Sequence, residues 1–217
     1  NITSAGIGGI AGWVRNVGHN VTFDNCDNLA NGDITISAES IEVDAYNSAV
    51  CVGGIVGIAA GYNHQYHALN KADIETGLDV TMKQCDNSGD IYNCAYSKVT
   101  STVSNMKVYT GGLAGALMGN KSAKIKVSTC TVRNCSLKPY DIVDGTNRAA
   151  FCGVVGGAIG YGGYVDIDGC TVDPVIGNGK RQSVSFAGVI GFAMRPFIIQ
   201  NSYVYAQGYF SRIDSFK

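Results

Sequence analysis

The sequence predicts an all-β fold: a parallel β-solenoid (β-helix) of about five glycine-rich coils with loop insertions. Three observations carry that expectation. A glycine-rich block of five residues returns five times. An aliphatic-x-aliphatic-x-x-Cys block follows four of those returns, and a Ser variant follows the fifth. No segment carries the 3.6-residue apolar period of an amphipathic helix.

The first block reads Gly8-Gly9-Ile10-Ala11-Gly12, Gly53-Gly54-Ile55-Val56-Gly57, Gly111-Gly112-Leu113-Ala114-Gly115, Cys152-Gly153-Val154-Val155-Gly156 and Ala187-Gly188-Val189-Ile190-Gly191. Its second column is Gly9, Gly54, Gly112, Gly153 and Gly188, and its fifth is Gly12, Gly57, Gly115, Gly156 and Gly191. Invariant glycine fits either corners with positive φ or places where backbones approach closely. A bulky residue at Gly57 or Gly115 is expected to be poorly tolerated.

The second block reads Val21-x-Phe23-x-x-Cys26, Val80-x-Met82-x-x-Cys85, Ile125-x-Val127-x-x-Cys130, Val165-x-Ile167-x-x-Cys170 and Phe197-x-Ile199-x-x-Ser202. Eight residues separate the two blocks in copies one and four, nine in copy three, five in copy five and 22 in copy two. A weaker third segment follows: Gly32 to Ile36, Gly89 to Tyr92, Ser136-Leu137, Val175-Ile176 and Tyr203-Val204-Tyr205. These runs are short, β-branched or aromatic, and bounded by Gly, Asn and Asp, as strands between turns are.

One coil per repeat, stacked at about 4.8 Å, would place equal columns above one another. Val21, Val80, Ile125, Val165 and Phe197 would then form one interior ladder, and Phe23, Met82, Val127, Ile167 and Ile199 the next. A β-sandwich would not explain why like residues return in like columns. The whole chain, 1–217, reads as a single repeat domain with insertions at about 62–77 and 92–108.

The Gly-Gly-Leu-Ala-Gly run at 111–115, its four relatives and the trailing Phe23-Asp24-Asn25-Cys26 element resemble the GLUG motif. The resemblance spans about residues 6 to 207 and is degenerate in copies four and five. Thr129 stands where Asn is usual and Ser202 where Cys is usual. GLUG repeats occur in secreted and surface proteins, often as adhesin-like arrays, so the resemblance implies an extracellular or cell-surface β-solenoid. The motif is structural and carries over no catalytic residue.

Composition narrows the function classes. Net charge is −1, and charged residues make up 15% of the chain against about 25% in ordinary domains. Without a Lys/Arg block, nucleic acid is not an expected partner. The longest apolar stretch, 49–61, has 13 residues and four glycines. That falls short of the about 20 a membrane-spanning helix needs. The chain starts without Met or a basic leader, as expected of a processed chain or a piece of a longer one.

The residues that could carry chemistry do not assemble a recognisable site. Cys26, Cys85, Cys130 and Cys170 read as an interior stack of small hydrophobes, preferably free thiols, although stacked coils would bring them within disulfide range. Cys51, Cys94, Cys135 and Cys152 lie outside that column. His64 and His67 form H-x-x-H without a flanking Glu, a weak metal signal best read as loop histidines; His19 has no evident partner. Asp166 and Asp168 alternate along one strand and should both face outward. Glycosidases need two carboxylates across a cleft, and no Ser-His-Asp motif is present. No catalytic residue, metal or cofactor is expected.

Candidate partner contacts are Tyr161, Tyr164, Tyr203, Tyr205, Tyr209 and Phe210, because aromatic rings stack on sugars or fill a partner's pocket. Asn1, Asn20, Asn120 and Asn134 begin glycosylation sequons. The expected function is a non-enzymatic extracellular surface module, adhesive or structural, binding glycan or protein. Its alternatives are a filament subunit that self-associates head-to-tail through solenoid ends and a carbohydrate-active β-helix enzyme.

Overall fold

The computed structural model describes residues 4–15, 19–36, 39–40, 49–60, 79–93, 96–97, 107–119, 124–139, 150–158, 165–177, 184–186, 189–193, 197–205 and 207–209. Every regular element among them is a β-strand. Copy one contributes β1 (Ser4–Gly8), β2 (Ala11–Arg15), β3 (Val21–Asp24), β4 (Asp27–Asn28), β5 (Ile34–Ile36) and β6 (Glu39–Ser40). Copy two repeats the series as β7 (Ala49–Gly53), β8 (Val56–Ala60), β9 (Val80–Lys83), β10 (Asp86–Asn87), β11 (Ile91–Asn93) and β12 (Tyr96–Ser97). Copies three and four merge neighbouring pieces. They give β13 (Lys107–Met118), β14 (Ile125–Ser128) and β15 (Thr131–Pro139), then β16 (Ala150–Ala158), β17 (Val165–Asp168) and β18 (Thr171–Gly177). Copy five supplies β19 (Val184–Phe186), β20 (Ile190–Ala193), β21 (Phe197–Gln200), β22 (Tyr203–Val204) and β23 (Gln207–Tyr209).

All the pairings are parallel and join a strand of one copy to its equivalent in the next. The second block makes a five-stranded sheet in the order β21-β17-β14-β9-β3. Within it Val21 pairs with Val80, Val80 with Ile125, Ile125 with Val165 and Val165 with Phe197. Two eight-stranded sheets hold the first block and the strands after the cysteine column. Side chains alternate along the second block, where one column of each pair turns inward, whereas residues 50–59 and 109–119 of the first block are buried throughout. Met82, Ile125, Ile167, Leu113 and Leu137 are fully buried, and the buried cluster draws on all three large sheets. Burying each such side chain is worth about 1.5–3 kcal/mol.

The structure corrects two details of the sequence reading. Ile199, expected inside, is 40% exposed, and its strand β21 is the edge of its sheet among the described residues. Tyr203 and Val204 stack on Thr171 and Val172. The third segment of copy five is therefore Gln207–Tyr209, which pairs with Val175, Ile176 and Gly177. Tyr203 directly follows the cysteine-column residue Ser202, as Thr171 follows Cys170. Of the two spans read as insertions, 62–77 lies outside the described residues, as do 94–95 and 98–106 of the other.

Of the two roles open to glycine in the repeat, positive-φ corner and close approach, the glycines of copies one to three take the second. Among the described residues positive φ belongs to the residue before the cysteine column, Asn25, Gln84, Thr129, Gly169 and Asn201, with φ of 54°, 52°, 53°, 63° and 49°, and otherwise to Asn134 at 53°. A Cβ on Gly112 would lie 2.5 and 2.6 Å from the two methyls of Val132. One on Gly115 would lie 2.6 Å from the carbonyl carbon of Cys51 and 2.7 Å from the oxygen of Gly57. Gly153, Gly156 and Gly191 fall in strands of copies four and five, and Gly188 lies outside the described residues.

Candidate functional site

The exposed end of the fifth copy is the part of the described molecule best placed to meet a partner. It is built on a corner. Asn201 turns the chain in the left-handed region, and its Nδ2 donates to Asp168 Oδ1 at 2.8 Å. Ser202 Oγ accepts from the Cys170 backbone N–H at 3.2 Å and donates to the Gln200 carbonyl at 3.0 Å. The Cys130 sulfur plays the same acceptor role toward Cys85 N–H at 3.4 Å, which is why a hydroxyl can replace the thiol in the last copy.

Beyond the corner, the Tyr203 N–H donates to Cys170 O at 2.8 Å and the Tyr205 N–H to Val172 O at 2.6 Å. Both backbones are thereby fixed against copy four. Tyr203 and Tyr205 are 62% and 64% exposed, with Val204 between them. Tyr203 opens β22 and Tyr205 directly follows it; residues two apart along an extended chain fall on the same side, about 6.6–6.8 Å apart. Their columns carry Thr171 and Asp173 in copy four and Thr131 and Arg133 in copy three. Only the last copy is aromatic there. Across the corner Ile198 is 55% exposed.

Of the other expected contacts, Tyr209 lies in β23, whereas Tyr161, Tyr164 and Phe210 fall outside the described residues. His64, His67, Cys94 and the sequons at Asn1 and Asn120 also fall outside them. Asn20 and Asn134 are exposed.

The cysteine column runs through the interior as expected. Cys85, Cys130 and Cys170 are buried and Cys26 is half-buried at the first copy. Those four, and Cys51 and Cys135 with them, are free cysteines. Burial pushes Cys51 up and Cys135 up to about 12. Hydrogen bonds with Cys170 and Cys85, added to burial, push Cys130 up, so it stays a thiol. The Cys130 contact pulls Cys170 down and Cys85 down to about 6, against the burial that opposes both. Cys26 is pushed up, first by burial and then by Cys85. The column is a packed ladder of sulfurs joined by hydrogen bonds, with one partly accessible end.

A buried polar ladder runs beside it that the repeat alignment did not single out. Asn28 Nδ2 donates to Asn87 Oδ1 at 2.7 Å and to Gly32 O at 2.9 Å. Asn87 Nδ2 in turn donates to Gly89 O at 3.0 Å and to the Cys135 sulfur at 3.5 Å. The signal was present as Cys-Asp-Asn followed by Gly-Asp-Ile in copies one and two only. Aspartates extend the pattern: Asp33 Oδ1 accepts the Asp90 N–H at 2.9 Å, and Asp90 Oδ1 the Ser136 N–H at 2.7 Å. These carboxylates cap the backbone of the next copy. Asp166 and Asp168 are half-buried on β17, and Asp166 Oδ1 has no hydrogen-bond partner. Among the described residues no three His, Cys, Asp or Glu converge as a metal site, and no helix is long and apolar enough to cross a membrane.

Comparison with family models, with curated proteins and with solved structures finds no match for this chain.

Proposed function

We propose that the chain is a β-solenoid of five GLUG-like coils and serves outside the cell as a non-enzymatic adhesive module. Tyr203 and Tyr205 are its contact with glycan or protein. The single observation that carries this reading is the paired exposure of the two tyrosines, at 62% and 64%, on a rigidly hydrogen-bonded strand end. Two rings held on one face offer stacking area to a sugar or a protein loop at little entropic cost. The copy-to-copy registers support the coil, and the hydrogen-bonding work of Asp33, Asp79 and Asp90 supports a structural rather than catalytic use of the carboxylates.

The test is binding to immobilised neutral, acidic and amino-sugar polysaccharides, mucin and extracellular-matrix proteins. The wild-type chain should bind at least one of them. Removing both rings in Tyr203→Ala/Tyr205→Ala should weaken that binding about tenfold or more, equivalent to about 1.4 kcal/mol. Undiminished binding by the double variant, or binding to none of the surfaces, overturns the reading.

A further inference from the structure

We infer that the two ends of the repeat stack dock on each other. The copy-five end of one chain receives the copy-one end of a second chain in the parallel register that already joins copies within the chain. The inference rests on the coil reading proposed above and concerns the axial edges, not the outward faces of the tyrosines.

Its first support is where apolar surface is left. Among the side chains the structure describes, the seven large hydrophobic ones that are exposed belong to the two end copies. One pair of them, Leu29 and Tyr205, falls in a shared column, whereas Ile10 and Ile199 stand in columns whose opposite ends, Val189 and Phe23, are buried. Ile10, 52% exposed, heads the column in which Ile55 and Leu113 are fully buried and Val189 is 9% exposed. Leu29, 70% exposed, heads the column that ends at Tyr205. Ile199 lies in the column of Phe23. Exposed strand edges are templates for further strand addition unless charge or a bulge blunts them. The stretch Phe197 to Tyr205 contains no charged residue.

The second support is the corner's hydrogen bonds, which are alike at all four internal junctions. The left-handed residue donates forward: Asn25 N–H to Lys83 O, Gln84 to Ser128, Thr129 to Asp168 and Gly169 to Gln200, at 2.9–3.1 Å. The residue after the cysteine column donates backward: Asp86 N–H to Cys26 O, Thr131 to Cys85, Thr171 to Cys130 and Tyr203 to Cys170, at 2.8–3.2 Å. Continuing the same rule across the ends pairs Asn201 N–H with Asp24 O of the second chain. It also pairs Asp27 N–H of the second chain with Ser202 O. Ile199 then meets Phe23, Tyr205 meets Leu29, and Ser202 meets Cys26. The carboxylates of Asp24 and Asp27 meet Gln200 and Tyr203, so no like charges oppose. Val204 under Asn28 is the one unlike step, and an Asn–Val step already exists at Asn87 and Val132.

The experiment is sedimentation velocity of the whole chain from about 1 to about 100 µM, spanning ordinary micromolar affinities. Two variants each block one end. Ile199→Asp puts a charge into the docked column. Thr22→Pro removes an N–H that faces away from copy two, because Val21 and Asn25 donate toward it and parallel strands alternate.

The wild-type chain should grow beyond dimer with concentration. Each variant alone should be monomeric. An equimolar mixture should form dimers and stop there, because a single pair of intact ends remains. Where Ile199→Asp fails to fold by circular dichroism, Ile199→Pro replaces it, since that N–H also faces outward. A wild-type chain that stays monomeric across the range, a variant that assembles as wild type does, or a mixture that yields no dimer or exceeds it overturns the inference. A monomeric wild type with an intact β-sheet spectrum and cooperative melt removes end docking alone and leaves the coil standing.

Discussion

Thr129 occupies the left-handed corner of the third copy at φ 53°, a conformation that costs an L-residue about 1–2 kcal/mol. A β-branched residue is among the worst suited to it. Its equivalents Asn25 and Asn201 carry the short amide that tolerates the region. The corner hydrogen bond, Thr129 N–H to Asp168 O at 2.9 Å, comes from the backbone and survives substitution. The side chain is exposed, so packing is not at stake. Thr129→Asn should therefore stabilise the chain by about 1 kcal/mol and raise Tm by about 2–4 °C. Thr129→Gly gains the same relief but gives back about 0.5–1 kcal/mol through the freer unfolded chain. Gly169→Thr is the reverse experiment. A Cβ there would have its nearest neighbour, Thr129 N, at 3.9 Å, so space is ample and the loss of about 1–2 kcal/mol is purely conformational. Urea unfolding followed by circular dichroism, with unchanged m, measures both. A Thr129→Asn variant no more stable than wild type, paired with a neutral Gly169→Thr, would refute the corner assignment.

Asn87→Leu should cost about 2–4 kcal/mol, because it strands Gly89 O and one amide hydrogen of Asn28 in the interior. A loss under about 0.5 kcal/mol in the same urea assay would remove the ladder from the account. Gly115→Val should lower stability by about 3 kcal/mol or more, since backbone atoms of Cys51 and Gly57 cannot yield as side chains do; a normal melting curve would count against the close stacking. Tyr92 donates to Asp90 Oδ2 at 2.7 Å, and that carboxylate, with burial, pushes its hydroxyl up to about 12. The folded value lies above the ordinary about 10. The bond's contribution is therefore complete below about pH 10 and is lost as pH rises through 12. The stability gap between wild type and Tyr92→Phe should close over that window, and a gap independent of pH from 9 to about 12 would contradict the assignment.

Much of the strand pairing was legible because a parallel stack repeats its chemistry at a fixed place in each turn. The ladders Val21–Val80–Ile125–Val165 and Phe23–Met82–Val127–Ile167 follow directly from aligning the cysteine blocks. What was not legible depends on neighbours in space. Glycine in the block fits both a corner and a close approach, and only the nearness of Val132 to Gly112 and of Cys51 to Gly115 decides between them. The left-handed residues are chemically mixed, Asn, Gln, Thr and Gly, so their shared φ left no common residue type. The Asn28–Asn87 ladder spans two copies and gives way to Val132, which hid it from a search for columns common to five. Ile199 matches the interior pattern, yet it sits on an edge strand and is exposed. The tyrosine pair was visible as residues; that Tyr203 and Tyr205 flank the inward column of Val172 and Val204 was not, because they had been aligned with the wrong segment.

Everything rests on equivalent residues lying above one another from copy to copy, and the sulfurs report that directly. A long-wavelength anomalous difference map from crystals of the chain would locate Cys26, Cys85, Cys130 and Cys170 without reference to any coordinates. Four peaks in single file, separated by roughly 4–6 Å as parallel neighbours require, are the expected result; peaks scattered or more than about 10 Å from their supposed neighbours would contradict it.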